Sequence, residues 1–176
     1  MKYVKPLSLA VGISKTKTSV QRRLLGLDVG DKYVGLAISD ASNKKALPLS
    51  VLLRTKTNID LMATDFQNLI SKFSISGLVV GYPLDRLGNI DDVGIIDDGV
   101  GMDTFIEELH KTGKLEDVKY SYWDERLSSK AVEMLLEPLN IHQVKKKTML
   151  DKCAAVGILQ GYLDFVNKNI MRTPSQ

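Results

Sequence analysis

Three carboxylates stand in contexts that invite chemistry: Asp28 in "LLGLDVGDKYVGLAISD" (24–40), Glu125 in "WDERLSSKA" (123–131) and Asp151 in "TMLDKCAA" (148–155). Asp28 interrupts a run that otherwise reads as buried strand. A carboxylate there loses hydration and has to be paired, protonated or metal-bound. Three acids brought to one point repel each other unless a cation lies between them. Hard divalent ions with oxygen ligands, Mg²⁺ or Mn²⁺, suit such a set. Two ions about 3.5–4 Å apart would position a water and stabilise the leaving oxygen in phosphodiester hydrolysis.

Each acid also has a plain structural reading. Asp28 can serve an Asx-turn at Gly30-Asp31. Glu125 can pair with Arg126 or Lys130 on the surface, a contact worth little. Asp151 follows Thr148 by three residues, the spacing of a capping box, and an acid in a first helical turn suits the dipole.

The elements that must carry these acids are legible in the periodicity. Residues 24–28 and 33–39 read as two strands joined by a tight turn, and 46–54 as a third antiparallel strand. Residues 58–73 put Leu61, Met62, Phe66, Leu69, Ile70 and Phe73 at helical spacing, with Asn58 as the expected cap. Residues 77–83 form a short buried strand, 104–111 a helix, 118–123 a strand and 128–136 a helix ending before Pro138. A long helix is expected from Thr148 to about Asn167. This order predicts an α/β fold, a mixed five-stranded sheet in which an antiparallel meander precedes βα units, with helices on both faces. Asp28 and Glu125 then fall at strand ends and Asp151 in a helical first turn, the places where open sheets gather reactive groups.

The 176 residues are enough for one well-cored domain. No apolar run approaches the ~18 residues of a membrane span. The single cysteine, Cys153, excludes an intramolecular disulfide and supplies no metal-ligand spacing, which suits a reducing compartment. The formal charge of +3 is uneven. Residues 1–23 hold six of the 24 basic residues and no acid, so the remainder carries 18 basic against 21 acidic residues. Bulk charge is therefore a poor argument for nucleic-acid binding. We read 1–23 as a basic arm or a transit-like segment, 24–168 as the domain and 169–176 as a tail. The setting is cytoplasmic, or chloroplast or mitochondrial if the first segment is a transit peptide.

Some features weigh less. Residues 89–103 repeat Ile-Asp-Asp six residues apart among glycines and read as an inserted, solvated acidic loop. Lys145, Lys146 and Lys147 precede the expected last helix and are either phosphate contacts or a solvated run. His110 and His142 stand alone. Cys153, Ile158, Tyr162 and Phe165 read as core or near-core residues.

"LLGLDVGDKYVGLAISD", "GLVVGYPLD", "WDERLSSKA" and "DKCAAVGILQGYLD" occur in the order and spacing of the YqgF family, and the chain from Leu24 to Asn167 resembles it. Its members are RuvC-like proteins described as Holliday-junction resolvases or pre-16S rRNA nucleases, with a ribonuclease-H-like fold. The resemblance implies a metal-dependent nuclease acting on structured RNA such as pre-rRNA or on branched DNA. It makes Asp28, Glu125 and Asp151 catalytic metal ligands for Mg²⁺ or Mn²⁺. Arg126 resembles the family's arginine after the glutamate, which either touches phosphate or orients Glu125. The acidic insertion is longer than is usual in the family. Two rivals stay open: a catalytically silent nucleic-acid or ribosome-binding module on the same scaffold, and an actin-like nucleotide binder. The second would need a homodimer to clamp ATP, so titration with ATP discriminates it. A homodimer is also compatible with the nuclease.

Overall fold

The computed structural model describes residues 1–14, 22–82, 102–124 and 143–170. Its elements are β1 (Lys2–Tyr3), α1 (Pro6–Ser14), β2 (Arg23–Val29), β3 (Tyr33–Ser39), β4 (Ala46–Leu53), α2 (Ile59–Phe73), β5 (Ile75–Tyr82), α3 (Met102–Lys111), β6 (Lys119–Asp124) and α4 (Gln143–Ile170). The strands form one sheet in the order β1-β6-β5-β2-β3-β4. β2, β3 and β4 are antiparallel neighbours, while β2-β5, β5-β6 and β6-β1 are parallel. An antiparallel meander followed by parallel βα strands on the far side of β2 is the ribonuclease-H-like arrangement.

β2 lies mid-sheet, which is why Leu24–Leu27 is apolar without alternation. Leu25 and Leu27 face Met62, Ala63 and Phe66 of α2 and Phe105, Ile106 and Leu109 of α3, all in one buried cluster. Leu24 belongs to the opposite cluster with Val79, Leu9 and Ala10 of α1, and Ala155, Ile158, Leu159, Tyr162, Leu163 and Val166 of α4. Fully burying a leucine contributes about 1.5–3 kcal/mol, so both faces of β2 are strongly driven inward. The helices cover both faces, as periodicity predicts.

Several details differ from the sequence reading. A sixth strand, β1, extends the sheet beyond β6, and α1 opens with Pro6 at a position where a missing N–H costs nothing. Asn58 is the N-cap of α2 but makes no side-chain cap. Its amide instead accepts from Thr55 N–H (2.8 Å) and donates to the Leu53 carbonyl (2.7 Å), bracing the loop before the helix. The last helix begins at Gln143, not Thr148. Gln, Lys, Met and Leu are good helix formers, and neither Gly nor Pro interrupts 143–150, so Thr148 is passed through rather than used as a cap. The helix expected at 128–136 and most of the acidic insertion (89–101) lie outside the described residues.

The β3–β4 turn is organised by Asp40. Its Oδ1 accepts from the N–H of Lys44 (2.7 Å) and Lys45 (3.0 Å), and its Oδ2 from the Ser42 hydroxyl (2.7 Å). The Lys45 N–H above all, then the Ser42 hydroxyl, holds the Asp40 carboxyl below its ordinary range. A lowered folded pKa means stability that is present above the unfolded value and lost as pH falls through the folded one. Asp40→Asn should therefore cost stability at neutral pH, at most about 1 kcal/mol after allowing for solvent screening. Melting temperatures of the two proteins should converge in acid. A constant gap from neutral to strongly acidic pH would show that the charge on Asp40 is not what stabilises the turn.

Candidate active site

Asp28 stands near the C-terminal end of β2, half-buried and paired in register with Gly35 of β3. The hairpin closes just beyond it, where Gly30 N–H donates to the Tyr33 carbonyl (2.9 Å). Side chains alternate along a strand, so Asp28 shares the face of Leu24 and Gly26, the face covered by α4. It does not share the face of Leu25 and Leu27.

The neighbouring strands end level with it. Leu27 pairs with Val80, and Val80 with Tyr122, so β2, β5 and β6 reach the same edge. β6 closes with Asp124 opposite Tyr82. Glu125 and Arg126 follow directly in the chain and lie outside the described residues. The end of β6 is pinned to α4 by Trp123, whose ring meets Tyr162 (5.6 Å between centroids) and Phe165 (5.0 Å). A Cβ on Gly161 would come within 2.9 Å of Trp123 Nε1. Burial pushes the Tyr162 phenol above its ordinary range, so it stays protonated and donates to the Pro6 carbonyl (2.7 Å).

Contacts along α4 set its direction. Asn167 donates to the Asn43 carbonyl in the β3–β4 turn (3.0 Å), and Gln160 accepts from Ala46 N–H at the start of β4 (2.8 Å). At Gly26, an added Cβ would lie 2.7 Å from Leu159 Cβ and 3.0 Å from the Ala155 carbonyl. The helix therefore runs antiparallel to β2, its N-terminal half toward the Asp28 end. Asp151 is within α4, well past its start at Gln143, and is not a first-turn cap. Lys145–Lys147 likewise belong to the early turns of α4 rather than preceding it.

Of the other residues singled out, Ile158 and Tyr162 are core, Cys153 is half-buried, and Phe165 is 37% exposed. His110 Nδ1 is 2.8 Å from the Met1 ammonium, at a distance from this edge in the chain and on α3. Among the described residues no three His, Cys, Asp or Glu side chains form a metal cluster. The donor set of the candidate acids is all-oxygen, which fits Mg²⁺ or Mn²⁺ and not a soft metal. The sequence reading passed over Arg54, at the end of β4 on the same edge. Its N–H donates to the Lys32 carbonyl (2.8 Å), its Nη1 to the Gly30 carbonyl (3.3 Å), and its guanidinium sits 4.8 Å from the Phe105 ring centroid. The acid-free "RTKT" after β4 was the available signal.

Fold and edge together define a ribonuclease-H-like α/β domain with an acid on its central strand. The family model described as RuvX, Holliday junction resolvase, matches residues 22–165. A protein of Carboxydothermus hydrogenoformans named "Putative pre-16S rRNA nuclease" is 37% identical over 84% of this chain and 99% of its own length. One of the same name from Bacillus subtilis is 34% identical over 82% and 99%. Among solved structures, Thermus thermophilus RuvC in complex with a Holliday junction substrate is 11% identical, covers 82% of this chain and 95% of its own, and superposes with a TM-score of 0.47. The chain belongs to the RuvX family of nucleases. No helix among the described residues is long and apolar enough to cross a membrane.

Proposed function

We propose that this chain is a divalent-metal-dependent nuclease that hydrolyses phosphodiester bonds in structured RNA, with the end of a 16S rRNA precursor as the favoured substrate and branched DNA as the second. The observation carrying this reading is the pairing of β2 and α4. Asp28 lies two residues, about 6.7 Å, beyond Gly26 along β2. Asp151 lies one turn, about 6 Å, before Ala155 along α4, and the two elements touch at Gly26 and Ala155 in antiparallel sense. This supports a reading in which both acids serve one edge. Glu125 is covalently next to Asp124 at that edge.

Asp28, Glu125 and Asp151 would hold Mg²⁺ or Mn²⁺ through carboxylate oxygens, and that metal would supply an acidified water and charge neutralisation at the phosphate. Asp28 has little freedom: its strand is buried on both sides and its hairpin turn is braced by Arg54. Arg126 orients Glu125 or contacts phosphate. The names of the relatives support an RNA substrate, and their bacterial sources support a cytoplasmic setting.

The test is a cleavage panel of single-stranded RNA, pre-rRNA fragments, duplex DNA and four-way junctions, with Mg²⁺ or Mn²⁺ and with EDTA. Metal-dependent cutting of pre-rRNA is expected. Binding without cutting under every metal condition would mean a silent nucleic-acid-binding module instead.

Lys145–Lys147 are proposed phosphate contacts. Three consecutive helical positions span about 200° of the helix, so one or two of them face a given ligand surface at once. Replacing all three by alanine should reduce the slope of log affinity against log salt by about one to two, at roughly 0.7–0.9 per phosphate contact. Sequence preference should not change, because phosphate contacts carry none. An unaltered slope would make them a solvated run.

A further inference from the structure

We propose that Lys32 and Lys56, carried on two loops braced together by Arg54 at the Asp28 end of the sheet, form a contact surface for the nucleic-acid backbone leading away from the scissile phosphate. The inference rests on the nuclease reading and adds substrate contacts that lie neither in the arginine of the D-E-R motif nor in Lys145–Lys147.

The hairpin turn after Asp28 contains Gly30, Asp31 and Lys32, and β4 ends one strand away at Leu53, which pairs with Tyr33. The chain then runs through Arg54, Thr55, Lys56 and Thr57. Arg54 ties the two loops by its main chain and its guanidinium, donating to the carbonyls of Lys32 and Gly30, while the Asn58 amide holds the 53–55 backbone from the other side. The stem carrying both lysines is therefore fixed although their side chains are exposed.

Lys32 and Lys56 enter no ion pair or side-chain hydrogen bond among the described residues, whereas Lys111 and Lys114 do. Asp31 is the one acid in the two loops 30–32 and 54–57, against the three cations Lys32, Arg54 and Lys56. The turn begins about 7 Å beyond Asp28 along the strand direction. A nucleic-acid strand advances about 3.4 Å per phosphate along its axis, so the turn falls about two nucleotides from a scissile phosphate at the Asp28 end of the sheet. Lys44 and Lys45 are equally exposed but sit in the β3–β4 turn at the opposite end of these strands, which makes them the natural control.

The experiment measures binding of a labelled RNA hairpin and a labelled DNA duplex in EDTA over a salt series, for wild type, Lys32→Ala/Lys56→Ala and Lys44→Ala/Lys45→Ala. The first double variant should lower the salt slope by about 1.4–1.8, from two lost phosphate contacts at 0.7–0.9 each. The control pair should leave the slope unchanged, and all three proteins should melt alike. Charge reversal, Lys32→Glu/Lys56→Glu, should weaken binding further. A wild-type slope in Lys32→Ala/Lys56→Ala, with cleavage intact, would overturn this inference alone. Absence of nucleic-acid binding by the wild type would overturn it together with the nuclease reading.

Discussion

Asp28→Asn should reduce metal-dependent cleavage by more than about a hundredfold while leaving nucleic-acid binding nearly intact. Loss of a group that merely supports a metal ligand typically costs about 10–100-fold, so loss of a ligand itself should exceed that. Asparagine keeps the side-chain shape and hydrogen-bonding reach of aspartate and removes only the charge, so strand β2 has no packing reason to move. The proposed phosphate contacts from lysines would be untouched, which separates chemistry from binding. A second readout needs no substrate. Saturating Mg²⁺ should raise the melting temperature of the wild type by mass action and raise that of the variant less. Cleavage undiminished in Asp28→Asn, together with an equal metal response in both proteins, would make Asp28 a turn residue and refute the proposed chemistry.

Gly26→Ala is expected to lower both stability and activity. The new methyl would sit 2.7 Å from Leu159 Cβ and 3.0 Å from the Ala155 carbonyl. Neither is the loose end of a flexible side chain, so α4 has to move off the sheet. Overpacking of this kind costs about 1–3 kcal/mol. In a chain of this size that corresponds to roughly 2–4 °C of melting temperature per kcal/mol. Displacing α4 also displaces Asp151 from β2. Cleavage should therefore fall at temperatures where circular dichroism shows the variant fully folded. Stability lost with specific activity retained in the folded fraction would mean that the β2–α4 spacing does not set the site.

Asp28 and Gly26 owe their roles to different kinds of information. That Asp28 is anomalous was legible from its neighbours, because four apolar residues before a polar one describe a local environment. That Gly26 is a point of close approach to α4 was not, since a lone glycine in a strand is compatible with a bulge, a bend or a contact. Asn58 shows the same limit at shorter range. Its type and position before an apolar helix predicted a capping side chain, yet the competing donors and acceptors of Leu53 and Thr55 won its amide. The start of α4 departs from the sequence pattern for a related reason. Thr148-x-x-Asp151 has the pattern of a cap, but a pattern cannot report whether the preceding lysines are already helical.

By itself the sequence determined the kind and order of the elements from β2 to β6, with α2 and α3 among them, and the strand that holds the first acid. Apolar periodicity of two or about 3.6 residues, turn residues and helix formers all act over a few neighbours, and they are written where they act. Only the tertiary structure decided that the N-terminal residues add β1 beside β6, that α1 inserts Leu9 against Gly77, and that α4 lies antiparallel to β2. Those contacts join distant parts of the chain. They are selected by the simultaneous burial of both sheet faces and by which surfaces admit close approach, and no local window of residues carries that information.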